Sequence, residues 1–421
     1  MNPAPTAATV EGPTPPTGGR RPALMFIFVT FFLDVLGIGL IIPVLPRLVE
    51  QLVGGDTSHA ARAVGVLGAV YSLMQFLFSP ALGSLSDRFG RRPVILGSLF
   101  GSGLDYLLLW WAPSLSWLFL GRVISGITGA NVSAATAYIA DISPPEKRAA
   151  NFGVIGAAFG LGFVAGPALG GLLGSADVRL PFLVAAGMTL LNWLYGFFVL
   201  PESLAPENRR SFSWAGSNPV SSFVGLGRWP VVRGLAESFF LFNVAQFALH
   251  SVWVLYTSYR YGWSSTQVGL SLAVVGVTAA VIQGGLARRI IPALGEARSM
   301  RVGFLISGVT MLGYGLATRG WMIYALLVFG SLGFIAGPAV QGLISCHVPA
   351  NEQGGVQGAL ASLRSVAGII APLLGTGLFG YFISPGAWTV LPGASFFMGA
   401  GLIAVAFWLA ARTLHRHPQA K

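Results

Sequence analysis

Apolar residues along this chain gather in long runs, and polar stretches separate them at intervals too wide for a soluble bundle. Runs of spanning length fall at about 23–46, 63–85, 93–112, 116–139, 151–174 and 181–200. After a polar interval they resume at about 232–257, 265–287, 300–318, 321–345, 354–380 and 392–411. A bilayer crossing needs about 20 apolar residues, so the pattern predicts twelve membrane-spanning helices. The interval from Glu202 to Pro230 holds Pro206, Arg209, Arg210, Ser211, Asn218 and Pro219, the composition of a linker. The expected organisation is a tail over 1–21, a six-helix bundle over 22–201, a linker over 202–230, a second six-helix bundle over 231–412 and a tail over 413–421. The first nineteen residues, rich in Pro, Thr, Ala and Gly, read as disordered. Arg20-Arg21 could open a secretion signal, but the run from Ala23 to Leu45 is too long for one and lacks a small-residue cleavage site. It is read as the first span.

Composition strengthens this picture. The chain is 54% hydrophobic and 9% charged, where soluble domains are about a quarter charged. Its 57 glycines suit membrane helices, which approach closely through small residues. A net charge of +11 points to nucleic acid only until the charges are placed. With both termini cytoplasmic, eighteen of the 25 lysines and arginines fall in cytoplasmic segments and five in outer ones. The other two, Arg122 and Arg364, sit inside spans. This is the positive-inside asymmetry; it makes the bilayer the partner and leaves no role for nucleic acid. The single cysteine, Cys346, excludes an internal disulfide.

The two halves repeat at an offset near 205. Span 5 carries Gly153, Gly166-Pro167 and Gly170, and span 11 carries Gly358, Ala371-Pro372 and Gly375. Val64-Gly65 of span 2 is answered by Val268-Gly269 of span 8. Parallel six-helix halves around a central site describe the major facilitator architecture. The fold class expected is an all-α membrane protein of twelve transmembrane helices in two six-helix pseudo-repeats.

Candidate chemistry lies mostly in the first half. The loop after span 2 runs from Gly83 through Asp87, Arg88, Gly90, Arg91 and Arg92 to Pro93. Gly90 permits a short turn, and Asp87 beside three arginines can form charge-assisted bonds that hold one conformation and break in another. Gly162, Gly166, Pro167, Gly170 and Gly174 give span 5 one smooth face, fit for helices that rock or simply for tight packing. Arg122 lies well inside span 4 and needs a partner; Asp105, at matching depth on the antiparallel span 3, is the nearest solution. Asp34 lies near mid-membrane with no basic residue in its own helix. It suits a reversible proton carrier, or a structural carboxyl bonded to another span.

These segments together resemble the tetracycline/proton antiporter family. The stretches around Asp34, through the Asp87–Pro93 loop, around Asp105, from Gly121-Arg122 and across Gly156–Pro167 carry the likeness. It continues at Val252–Tyr256, Arg260–Trp263 and Gln353–Gly358. The resemblance implies efflux of an amphipathic drug in exchange for protons. It ties Asp34 and Asp105 to substrate and proton handling, and Asp87, Arg91 and Asp141 to gating. Two positions depart: Ala279 and Ser307 stand where the family carries a histidine and an aspartate. The second half offers Gln246, His250 and Arg364 instead. His250 could replace the missing titratable group or be a structural histidine; Arg364 could bind an anionic substrate group or pair with Asp34.

The function expected is a proton-coupled exporter acting by alternating access as a monomer in the bacterial cytoplasmic membrane, on a tetracycline-like or other amphipathic small molecule. The alternatives are proton-coupled transport of a metabolite or organic anion, and a non-transporting receptor or assembly factor. No nucleotide loop, metal-ligand cluster or nucleophile elbow suggests an enzyme. No cofactor is called for beyond the proton gradient, although a metal-chelated substrate is compatible.

Overall fold

A computed structural model describes residues 20–129, 132–143, 148–209, 228–349 and 352–416. Met1–Gly19 of the expected tail, Pro145 to Lys147, and the linker from Arg210 to Gly227 lie outside the described residues. The first half comprises α1 (Arg20–Ile41), α2 (Leu45–Leu52), α3 (Thr57–Phe89), α4 (Arg91–Trp111), α5 (Leu115–Thr128), α6 (Val132–Ile142), α7 (Arg148–Ala176) and α8 (Leu180–Val199). The second comprises α9 (Pro230–Tyr261), α10 (Ser265–Val281), α11 (Ala287–Leu294), α12 (Glu296–Leu316), α13 (Gly320–Ser331), α14 (Ala336–Cys346), α15 (Gln353–Phe382) and α16 (Ala394–Arg416). Among the described residues eleven helical stretches are long and apolar enough to cross a membrane. The remaining expected span, α12, has the length but carries Glu296, Arg298 and Arg301 in its first two turns.

Several spans expected as single rods are interrupted. The first breaks after Ile41 and resumes as the short helix α2. In the tenth, a 3₁₀ segment at Leu332–Ile335 separates α13 from α14. A π-helical segment, Ile282–Leu286, separates α10 from α11. Local chemistry sets other boundaries. Asp56 caps α3 by accepting from the backbone N–H groups of Ser58 and His59, and the His59 bond is the main reason its carboxyl sits below the usual range. Ser264 and Gln267 form a reciprocal capping box on α10.

The repeat is visible in packing as well as in sequence. In the first half α1 packs on α7 and α8, α4 on α8, and α3 on α5. In the second half the corresponding helices do the same: α9 on α15 and α16, α12 on α16, and α10 on α13. The halves meet through two equivalent seams, α3 with α15 and α7 with α10. Both seams are close at the end far from the chain termini. There the Ser58 hydroxyl donates to the Gly380 carbonyl at 2.7 Å, the Thr266 hydroxyl donates to Gly171 at 3.3 Å, and Arg47 donates to the Trp263 carbonyl. Nearer the termini, Gly153, Gly156 and Gly160 of α7 and Gly355 and Gly358 of α15 face open space. The molecule is closed at one end and parted at the other.

Candidate functional site

The first-half helices enclose a cavity of about 490 Å³. Asp34 enters it from α1, Tyr71 and Gln75 from α3, Asp105 and Tyr106 from α4, and Arg122 from α5. The local sequence explains how they meet. Gly121 lets α5 approach α4 so closely that a Cβ there would lie 2.5 Å from Leu109 and 2.9 Å from the Asp105 carboxylate. That approach places Arg122 Nη2 3.8 Å from Asp105 Oδ2. Asp105 is only 1% exposed, and neither of its carboxylate oxygens has a hydrogen bond. The pairing expected from matched depth is therefore present, as an ion pair wider than a hydrogen bond. The Arg122 guanidinium also stands 5.7 Å from the Tyr71 ring centroid, within cation–π range. Gln75 donates to the Tyr71 hydroxyl at 2.8 Å and lies 3.4 Å from the Gly129 carbonyl.

An ion pair without hydrogen bonds in a roomy cavity can be rearranged. Coulomb attraction alone holds Asp105 to Arg122, and a proton on the carboxylate removes it. Asp34 lines the same cavity and acts electrostatically on Tyr71 and Tyr106. Two acids, one cation and a polar trio thus share one chamber.

The second-half candidates do not join them. Gln246 and His250 line a separate void of about 60 Å³, with Trp253, Ser307 and Thr310. Arg364 lines neither space, and among the described residues it forms no ion pair with Asp34 or any other acid.

The loop between α3 and α4 is organised around Arg91, which is only 8% exposed. Its guanidinium contacts Asp87 at 2.5 Å and Asp141 at 3.2 Å, and donates to the Ser86 hydroxyl at 2.6 Å. Ser203 donates to the same Asp141 oxygen at 3.0 Å. Gly90 has φ +105, and its Cβ position is taken by the Glu202 carboxylate. Glu202 in turn accepts from the backbone N–H groups of Arg91 at 2.9 Å and Arg92 at 3.3 Å, capping α4 with an anion. Arg92 donates to the Phe197 carbonyl at 2.7 Å, Arg88 lies over the Phe89 ring, and the Gly83 carbonyl accepts from Ser86. All of these partners belong to the first bundle or to the two residues that follow it, Glu202 and Ser203, so this network clamps the end of one bundle.

The span 5 ladder also packs within its own half. Cβ positions on Gly162 and Gly166 would come within 2.9 Å and 2.7 Å of α1 backbone atoms, and Gly170 faces Leu40. The seam with α10 runs along the neighbouring stripe of Val164, the Pro167 carbonyl and Gly171.

Tyr71, Gln75, Tyr106 and Glu202 were not among the candidates from sequence. Tyr71 and Gln75 stand four residues apart on α3 and so share a face, which could have marked the pair.

The Major Facilitator Superfamily profile matches residues 27–372. The tetracycline resistance protein, class C, of Escherichia coli is 41% identical over 383 residues, covering 91% of this chain and 95% of that protein. Among solved structures, the human organic anion transporter MFSD10 (TETRAN) aligns with a TM-score of 0.68 at 26% identity, over 94% of this chain and 100% of that one. A bacterial homologue of the human lysosomal transporter Spinster aligns with a TM-score of 0.78 at 16% identity, over 97% and 99% of the two chains.

Proposed function

This chain belongs to the Major Facilitator Superfamily and, within it, to the family of tetracycline resistance proteins, and from that premise we propose that it is a proton/drug antiporter exporting an amphipathic, tetracycline-like compound. It is a multi-pass membrane transporter and not an enzyme. We place it in the bacterial inner membrane with both termini cytoplasmic, on the distribution of Lys and Arg.

The observation that carries the reading is the Asp105–Arg122 pair, 3.8 Å apart, in a cavity shared with Asp34. In the parted state the cavity faces the cytoplasm and takes up cargo. Cargo and proton compete for the carboxylates: a protonated acid releases its hold on a cationic or hydrogen-bonding partner. Exchange of one for the other changes which arrangement of the two bundles is stable, which is what coupling requires. Asp87, Arg91 and Asp141 steady the cytoplasmic end of the first bundle while it rocks, and Glu202 anchors the same corner. The protein works as a monomer, since one chain contains both halves and the chamber.

Everted vesicles containing the protein test this. Addition of tetracycline to vesicles holding a pH gradient should release protons in the wild type, and Asp34→Asn should abolish that release. Normal coupling in Asp34→Asn would sink the assignment.

A further inference from the structure

Away from the chamber, cations gather where α12 meets α16, at the end of the molecule that carries the chain termini. Among the described residues, Arg301, Ala411, Leu414 and His415 line a cavity of about 340 Å³ there. Arg301 and His415 are exposed, so the cavity opens outwards. Further into the membrane the two helices close on each other: a Cβ at Gly308 would lie 3.5 Å from Ile403. Arg301 is the sixth residue of α12, about 8 Å from its start at 1.5 Å per residue. Arg412, beside Ala411, stands about 6 Å before the end of α16. Arginines so near a helix end extend to the level of the lipid headgroups.

Below these cations each helix offers an apolar strip. On α12 the exposed Leu305, Val309, Leu312 and Leu316 follow Arg301 at spacings of four, four, three and four, and so share its face. On α16 the exposed Val405 and Trp408 lead up to Arg412, whose guanidinium stands 5.1 Å from the Trp408 ring centroid. Tryptophan collects at the boundary between bilayer and water, which sets the depth of the cavity.

No acid answers these cations. Among the described residues Arg301, Arg412, His415 and Arg416 form no ion pair, and Arg301 donates only from Nε, to the Ala297 carbonyl at 3.2 Å. The nearby acids are engaged elsewhere. Glu237 is held by Arg233 of its own helix at 3.0 Å, and Glu296 lies against Gly342 and Cys346 of α14.

We infer that this cavity binds the phosphate of an anionic phospholipid of the cytoplasmic leaflet, whose acyl chains lie along the exposed strips of α12 and α16. Guanidinium groups hold phosphate through charge-assisted, forked hydrogen bonds, and basic pockets between membrane helices on the cytoplasmic side suit such headgroups. A soluble phosphate would meet the cations but leave the apolar strips without use. Both helices belong to the second bundle, so the lipid travels with that bundle whatever cargo the chamber takes.

Full-length protein in phosphatidylcholine nanodiscs supplemented with phosphatidylglycerol, released for native mass spectrometry, tests this without reference to transport. At equal abundance of the two lipids, the wild type should retain one phosphatidylglycerol with at least about tenfold preference, a difference worth about 1.4 kcal/mol. Arg301→Gln combined with Arg412→Gln should bring the preference to within about twofold, and Arg301→Lys combined with Arg412→Lys should keep its direction. Arg319→Gln, which removes an exposed charge at the opposite end, should leave it unchanged. A wild type with no preference would overturn the inference. So would an equal loss in Arg319→Gln, which would reduce the effect to net charge. Equal loss in the Gln and Lys pairs, with lowered melting temperatures in both, would make the arginines packing residues and overturn it as well. Displacement of the bound lipid by a hundredfold excess of sn-glycerol 3-phosphate would make this a site for soluble phosphate and end the lipid assignment.

Discussion

At the scale of single residues, the meeting of Asp105 with Arg122 depends on Gly121. A methyl group there would press on Leu109 at 2.5 Å and on the Asp105 carboxylate at 2.9 Å. Overpacking of this kind costs about 1–3 kcal/mol, and the relief available is a separation of α4 from α5. Gly121→Ala should therefore fold with lowered thermal stability in detergent and lose most of its drug-driven proton release. Full coupling in a destabilised Gly121→Ala would show that the pair need not be held so closely. Asp105 and Arg122 were legible from sequence because charges are conspicuous in apolar spans and antiparallel neighbours can be matched by depth. Tyr71, Gln75 and Tyr106 were not, since aromatic and amide side chains occur in spans for ordinary packing. Nor could the sequence tell that Gln246 and His250 line a different void from the acids, because which way a helix turns its polar residues depends on its neighbours.

At the scale of elements, the corner where α3 passes into α4 is held by a residue 110 or 111 positions away in the chain. Glu202 reads as the start of a linker, yet its carboxylate caps α4 and fills the space left by Gly90. The loop motif itself was legible because Gly90 and Asp87 occur in a fixed order; the cap was not, because nothing local announces it. The positive φ of Gly90 lies where residues with a Cβ are strained by about 1–3 kcal/mol, and a methyl would also strike Glu202. Glu202→Gln removes a charge at a helix N-terminus, worth about 1 kcal/mol or less. Gly90→Ala should therefore reduce stability more than Glu202→Gln, and both should lower transport with Asp34 and Asp105 intact. Ranked melting temperatures of the purified variants check the order, and a milder Gly90→Ala would refute the account of this corner. The break at Leu332–Ile335 escaped the hydropathy pattern for a related reason. It lies inside an apolar run, where a change of helical geometry leaves hydrophobicity unaltered.

At the scale of the whole molecule, the two seams make closure at one end a property of both repeats at once. Twelve spans and two halves were legible because bilayer thickness fixes the length of each run and a duplicated helix keeps its glycines in register. Which end stands closed was not legible, since the α3–α15 and α7–α10 seams offer small residues along most of their length. The structure resolves this through contacts such as Ser58 with Gly380 and Thr266 with Gly171. A transporter that alternates must break these contacts in every cycle, so fixing one of them should stop it. The single native cysteine can be removed as Cys346→Ser, and Ser58→Cys with Gly380→Cys then places two thiols across the seam. A Cβ at Gly380 would lie 3.7 Å from the present Ser58 hydroxyl oxygen, close enough for a disulfide after small adjustment. Mild oxidation should cross-link this variant and abolish transport, and a reductant should restore it, whereas either single-cysteine variant should be indifferent to both treatments. Ligand binding from the open end should survive the cross-link, because the chamber lies on the far side of the seam. Undiminished transport in the fully cross-linked protein would mean that this end does not open during the cycle, and the alternating mechanism would have to be abandoned.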